Sequence, residues 1–368
     1  MPRLGFLLAA ILFATVALSQ EVKPIFEITV ERYLLDLYVT DDSGEPIDDL
    51  RPMNFRVKLD GQPVEIEAVE FIDATLPQPD VSILDDASDR DLEPPRPRGR
   101  LLVLFFQTDF QRASSRISGH MKMIDYAQKL VDGLQPHDRA AVVQFDSHLK
   151  VREDFTSDKA KLRRAIEQSV RIDDPGRPER VPAPSLMSRL EEQEMKRAAS
   201  PEKALFLLGN ALLPIQGPKS LILFGWGLGR YGSGGVTMIP DYFPARRALE
   251  ASRTAVFSID ISQSSFHSLE VGLKTVSKET GGFYAKTDVF PEIAMGRLDR
   301  TLSSRYELSI KRPPDLPRGL HEVEVEVVGR KGARVLVRET VEDKGDEAGQ
   351  ESEGRSKASQ ESEGRRQK

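Results

Sequence analysis

The 368-residue chain contains no cysteine. That excludes disulfides, zinc fingers, iron–sulfur clusters, thiol catalysis and a cysteine-linked lipid anchor. Histidine is scarce: His120, His137, His148, His267 and His321 are scattered without a metal-ligand spacing. An excess of one charge sign is also missing. Lys and Arg number 52 against 58 Asp and Glu, a net charge of -6. Binding through nucleic-acid phosphates needs a basic balance, so no nucleic-acid partner is expected. Beyond the first residues no segment is long and apolar enough to span a bilayer.

The N-terminus carries a different signal. Arg3 precedes an almost wholly apolar stretch, 4–16, and Ala17-Leu18-Ser19 supplies small residues before Gln20. This layout predicts a cleaved secretory signal over 1–19 and an exported mature chain, in the periplasm, cell envelope or medium. A membrane anchor is the alternative reading. The run is shorter than the ~20 residues a span needs, and no basic flank follows it.

The rest of the chain divides by hydrophobic period. Residues 20–73 alternate apolar and polar at period two, as in 26–30, 35–39 and 54–59, with Asp60-Gly61 marking a hairpin and 64–69 pairing back. Residues 74–100 are rich in Asp and Pro and read as a linker. From 101 to 304 continuous apolar runs (101–106, 140–145, 220–224, 255–261) alternate with helical spacing, which implies buried parallel strands under helices. Ser118 reads as a helix N-cap. Residues 172–200 interrupt this pattern as an insertion of the kind that forms binding loops or stays disordered. Alternation returns over 305–342. The tail 343–368, with its repeated Gln-Glu-Ser-Glu-Gly-Arg, has no core-forming content. The expected fold is α/β, a doubly wound, mostly parallel sheet with helices on both faces. The flanking antiparallel β segments are expected to join in one sandwich, because each alone has few strands.

Several stretches carry a resemblance. They are 39–47 with Leu50 and Asn54-Phe55, then 59–64, 101–106, 134–145, 154–158, 217–224 and 304–308. Taken in order, the chain resembles a von Willebrand factor type A (VWA) domain protein, and more narrowly the secreted VWA-related proteins catalogued in acidobacteria. The resemblance implies a VWA-like sheet whose upper loops bind partners, often through a divalent cation. In that family the first strand ends in Asp-x-Ser-x-Ser, and a later strand in Ser-Asp-Gly. Here the corresponding places hold either Phe106, Thr108 and Phe110 or, shifted by one, Gln107, Asp109 and Gln111, and later Gly225-Trp226-Gly227. Too few hard oxygen ligands remain for Mg²⁺, so a degenerate site without metal or cofactor is expected. The alternative keeps Asp109 as a displaced ligand with Thr108.

Other patterns give weaker chemistry. Residues 227–232 match G-x-G-x-x-G after a strand, but no helix follows at once, and the segment reads as a flexible loop. Ser114, Ser115, Ser118, Ser264 and Ser265 lack a nucleophile elbow and an evident His and acid partner. Asp36, Asp41, Asp42, Asp48 and Asp49 follow no Ca²⁺-loop spacing. The expected function is therefore non-catalytic protein binding or scaffolding outside the cytoplasm. Gln107, Thr108, Asp109, Trp226, Arg230 and Tyr231 are the candidate partner-contacting residues, and the partner is an unidentified protein. The alternatives are a metal-dependent adhesion module with an unusual ligand set, and an exported enzyme using the Gly-rich loop.

Overall fold

Alternating and continuous apolar runs become strands where the sequence places them. The computed structural model describes residues 32–77, 99–109 and 114–343, except 172, 177, 179, 180 and 182. The predicted signal, the 26–30 strand, most of the 74–100 linker and the tail from 344 lie outside the described residues.

The N-terminal segment supplies β1 (Arg32–Thr40), β2 (Phe55–Leu59), β3 (Gln62–Pro63) and β4 (Ile66–Asp73). Asp60 and Gly61 both have positive φ, 49° and 75°, which suits the two-residue turn from β2 to β3. The return strand was expected to run through 64–69, but its pairing with β2 goes no further than Val64, whose N–H donates to Val57 O at 3.0 Å. β4 instead crosses to a second sheet.

The central segment contains β5 (Leu101–Gln107), α1 (Ser114–Asp132), β6 (Arg139–Phe145), β7 (Leu149–Thr156) and α2 (Lys159–Gln168). It continues through α3 (Glu192–Arg197), α4 (Pro201–Leu212), β8 (Lys219–Gly225), β9 (Arg230–Gly232) and β10 (Gly235–Thr237). Next come α5 (Tyr242–Ala251), β11 (Thr254–Asp260), α6 (Glu270–Glu279), β12 (Tyr284–Lys286) and α7 (Pro291–Ser303). Six strands form one sheet in the order β12-β11-β8-β5-β6-β7. All neighbours are parallel except β6 and β7. The order reverses between β5 and β8, the switch point where open α/β sheets place ligands above the strand ends. α1, α2 and α7 cover one face and α3 to α6 the other. β5 and β8 are buried from end to end, which explains their uninterrupted apolar sequence.

β13 (Ser304–Lys311), β14 (Gly319–Val327), β15 (Arg334–Leu336) and β16 (Thr340–Asp343) follow. They interleave with the N-terminal strands in two four-stranded sheets, β15-β1-β13-β4 and β16-β14-β2-β3. Leu35, Leu37, Phe55, Val57, Tyr306 and Leu308 share one core between them. The two β segments thus build a single sandwich, and the fold is the expected α/β, doubly wound, mostly parallel sheet with helices on both faces and flanking antiparallel sheets.

Four local features differ from the sequence reading. α4 and α5 are not anticipated by it. Ser118 lies inside α1, exposed, and caps nothing at its start. Inside the insertion, read from sequence as binding loop or disordered chain, the short helix α3 forms. The described part of the insertion packs inward, with Leu186, Met187, Leu190 and Met195 buried in the sheet's core. Asp154 holds it: its carboxylate accepts from Ser185 Oγ (2.6 Å), Leu186 N (2.8 Å) and Met187 N (3.3 Å).

Arg253 joins the sandwich to the central sheet. Its guanidinium donates to both oxygens of Asp36 on β1, at 2.9 and 2.7 Å, and also to Glu307 on β13. All three side chains are largely buried. Removing the cation would take the nearest positive charge from both carboxylates and leave Asp36 with Arg305 at 4.0 Å. Arg253→Ala should therefore lower the unfolding free energy by about 3 kcal/mol in chemical denaturation. A loss within about 0.5 kcal/mol, the scale of an ordinary surface substitution, would show that the junction does not depend on it.

Candidate functional site

The upper end of β5 meets the upper end of β8. Gln107 closes β5 and is almost wholly buried. Its Oε1 accepts from the backbone N–H of Trp226 (3.0 Å) and of Gly227 (3.3 Å). Gly225 allows this approach, since a Cβ there would lie 2.9 Å from Gln107 Oε1. Two residues on, Asp109 Oδ1 accepts from the indole Nε1 of Trp226 at 2.8 Å. The guanidinium of Arg116, from the first turn of α1, stacks 3.4 Å from the centre of the Trp226 ring. Burial pushes the Asp109 carboxyl up to about 6, against the opposing pull of the Trp226 hydrogen bond and the Arg116 charge.

Thr108 points into a separate buried network. Its Oγ1 accepts from Gln144 Nε2 (2.7 Å) and its N–H donates to Phe145 O (2.7 Å). Arg152 Nε donates to Gln144 Oε1 (2.7 Å), and its Nη atoms reach Asp173 Oδ1 (3.0 Å). This ties the end of β6 to the start of the insertion.

The cation implied by the VWA resemblance would sit in this region, and the donor set does not fit it. Of the two alternative registers, the one with Gln107 and Asp109 faces β8. Gln107 spends its amide oxygen on two backbone donors. Among the described residues of this cluster Asp109 is the one carboxylate, and burial favours its neutral form. A guanidinium already stands beside it. Mg²⁺ demands several oxygen ligands in near-octahedral array, and an adjoining fixed positive charge repels it.

A second cluster lies at the ends of β11 and β12, and sequence spacing did not reveal it. Asp260, His267 and Glu270 bring ligand atoms within 4.8 Å of one another. Asp260 Oδ2 is bonded to His267 Nε2 (2.8 Å) and Tyr284 OH (2.7 Å), and its Oδ1 accepts from Ser262 N (2.9 Å). Lys274 and Lys286 each place an ammonium 2.6 Å from a Glu270 oxygen. Burial works against ionisation of Glu270, but the two lysines hold it down at about 2. Two ammonium groups thus already supply the positive charge a metal would bring. The pairing joins residues from β11, the following loop, α6 and β12, so no local motif announces it.

The Gly-rich segment is not a phosphate loop. Residues 230–237 fold as the β9–β10 hairpin, where the sequence reading had a flexible loop. Gly227 is required by packing, since a Cβ would lie 2.4 Å from Leu269 Cβ. Gly229 has φ 83°, and its N–H donates to the buried carboxylate of Glu202 at 2.6 Å. That N–H is therefore already satisfied by a side chain, whose carboxyl burial pushes above the usual range, and is not free for a phosphate.

Gln107 and Thr108 are therefore internal, Asp109 and Trp226 partly buried and bonded to each other, and Arg230 and Tyr231 exposed on β9. Tyr231 is 69% exposed. Of the histidines, His120 is buried against Ser169 and burial lowers it to about 4. His321 bonds Asp60 at 2.8 Å.

No protein-family model matches the chain, and no curated protein matches it. Solved structures similar to it include BatB from Bacteroides thetaiotaomicron, 14% identical, covering 55% of this chain and 98% of that one, with a TM-score of 0.36. Proximal thread matrix protein 1 from the mussel byssus is 14% identical, covering 65% and 49%, with a TM-score of 0.39. The human COPII-coat protein Sec24c is 11% identical, covering 67% and 44%, with a TM-score of 0.37. The chain thus spans about half of the mussel protein and less of Sec24c. Likeness at this level bears on no functional residue.

Trp226 is the sole tryptophan, so emission excited beyond the tyrosine absorption band reports this site alone. Asp109 is raised from 3.8 to about 6 in the fold. Its contribution to stability is full below pH 4 and lost as pH rises through 6. Trp226 emission should titrate with a midpoint near pH 6, and Asp109→Asn should abolish that midpoint. Above pH 7 the Asn variant should be the more stable by about 1–2 kcal/mol, discounted for partial exposure. A flat emission profile from pH 4 to 8 in the unaltered protein would contradict this assignment.

Proposed function

We propose that the chain is an exported, non-catalytic protein-binding module or scaffold that acts through the upper loops of its VWA-like sheet without a bound metal. On this reading it is a VWA-related protein of the secreted acidobacterial kind with a degenerate metal-ion-dependent adhesion site. The observation that carries the proposal is the Gln107–Trp226–Asp109–Arg116 cluster. It fills the switch point with side chains that satisfy one another and puts a guanidinium beside the remaining carboxylate. Recognition then rests on exposed loops beside the cluster, foremost the β9–β10 hairpin with Arg230 and Tyr231. Arg and Tyr are the residue types that anchor protein interfaces. The Glu202 carboxylate at Gly229 weighs against nucleotide binding by the Gly-rich segment.

Export rests on the apolar 4–16 stretch and the small residues before Gln20. Among the described residues no helix is long and apolar enough to cross a membrane.

Crosslinking capture from the native envelope tests the proposal. The dominant partner should be retained in EDTA and reduced at least tenfold by the double substitution Arg230→Ala and Tyr231→Ala. Capture that EDTA abolishes, and that Asp109→Ala also abolishes, would return the metal-dependent adhesion reading.

A further inference from the structure

At the lower end of β11 the sandwich parts from α5 and leaves a cleft of about 320 Å³. Leu34 of β1, Ala251 at the end of α5 and Val341 of β16 give it an apolar wall. Four guanidinium groups and two carboxylates line most of the rest. Three of the cations are spent. Arg32 pairs with Glu67, Arg247 stands 3.8 Å from Glu342, and Arg253 bonds Asp36 and Glu307. Arg338 differs from them. Its Nη atoms donate to two backbone carbonyls, Glu250 O (3.2 Å) and Leu34 O (2.6 Å), and its Nε is buried without a hydrogen-bond partner. Among the described residues no carboxylate forms an ion pair with it. The Glu250 side chain, 5% exposed, does not supply that charge. Its Oε1 accepts from Thr340 Oγ1 (2.5 Å) and lies 3.8 Å from Arg246, and its Oε2 has no partner. Burial pushes the Glu250 carboxyl up, toward its neutral form. The cleft thus carries one positive charge that its own lining leaves unmatched.

We propose that this cleft binds a monocarboxylate with a short apolar body, held by an ion pair between its carboxylate and the Arg338 guanidinium. Charge, shape and place carry the assignment. A guanidinium kept from water without an anion is costly, and a carboxylate matches its planar fork. One unmatched cation calls for one negative charge. A phosphate brings roughly 1.5–2 and would need a second free cation, whereas the other three arginines already face carboxylates. The wall of Leu34, Ala251 and Val341 suits a hydrocarbon body rather than a second polar group. Small-molecule sites start at about 300 Å³ and favour seams between packed units, as here between the sandwich and α5. The β9–β10 hairpin follows the upper end of β8, and the cleft lies at the lower end of β11. This inference therefore stands or falls apart from the proposed function.

Isothermal titration of the mature protein with hexanoate provides the test. Saturable binding of one hexanoate per chain is expected, with hexanol and inorganic phosphate each at least tenfold weaker. Arg338→Gln keeps an amide donor for the two carbonyls but no charge, and should weaken hexanoate at least tenfold. Ala251 is exposed at the rim, so Ala251→Phe should obstruct the cleft with unchanged circular dichroism and weaken hexanoate to a similar degree. The hairpin variant carrying Arg230→Ala and Tyr231→Ala should bind hexanoate normally. Absence of saturable heat with hexanoate overturns the proposal. Hexanol or phosphate binding as tightly as hexanoate overturns it too, and so does hexanoate binding that Ala251→Phe leaves unchanged.

Discussion

The hydrogen bond from the Trp226 indole to Asp109, with Arg116 stacked on the same ring, fixes what the upper end of the sheet is able to do. A divalent cation at a strand end has to be matched by several carboxylate or hydroxyl oxygens that give up water to reach it. Among the described residues of this cluster Asp109 is the one carboxylate, and its partners are an indole N–H and a nearby guanidinium. Gln107 completes the arrangement by accepting the two backbone N–H groups that open the loop after β8. The result is a switch point closed by the protein's own donors. Desolvation of Asp109 is offset in part by those donors and leaves its neutral form within reach near pH 6.

The same economy of charge recurs at the edges of the central sheet. Arg253 sits between Asp36 and Glu307 where the sandwich meets β11, Asp154 gathers the start of the packed insertion, and Lys274 and Lys286 share Glu270. Each is a buried or half-buried charge with a specific partner, as low dielectric demands. Their common effect is to hold loops and flanking strands in one arrangement around a sheet whose own interior is apolar. Beside them the β9–β10 hairpin stands exposed, with Arg230 and Tyr231 open to solvent.

Much of this was legible in the sequence because burial on both faces leaves few polar positions. The runs that became β5, β6, β8 and β11 could hardly be anything else. The alternation at both ends of the chain likewise announced half-buried strands that needed each other. What stayed hidden depends on contacts between distant residues. α4 follows a Ser200-Pro201 start that is itself a recognisable cap, yet the Pro- and Gly-containing insertion before it obscured the period. α5 carries Pro244 in its first turn, which reads as a break although that position tolerates it. The Asp260–His267–Tyr284 contacts and the role of Gln107 arise only when strand ends converge. That the end of β5 carries no Asp-x-Ser-x-Ser could be read directly, but the contacts that fill this end of the sheet could not.

The central claim is that Trp226, Asp109 and Arg116 stand where a cation would otherwise be held. Isothermal titration of the mature protein with Mg²⁺, Ca²⁺ and Mn²⁺ tests it most directly. The account predicts no saturable heat for any of the three. Saturable binding that Asp109→Ala removes would contradict it.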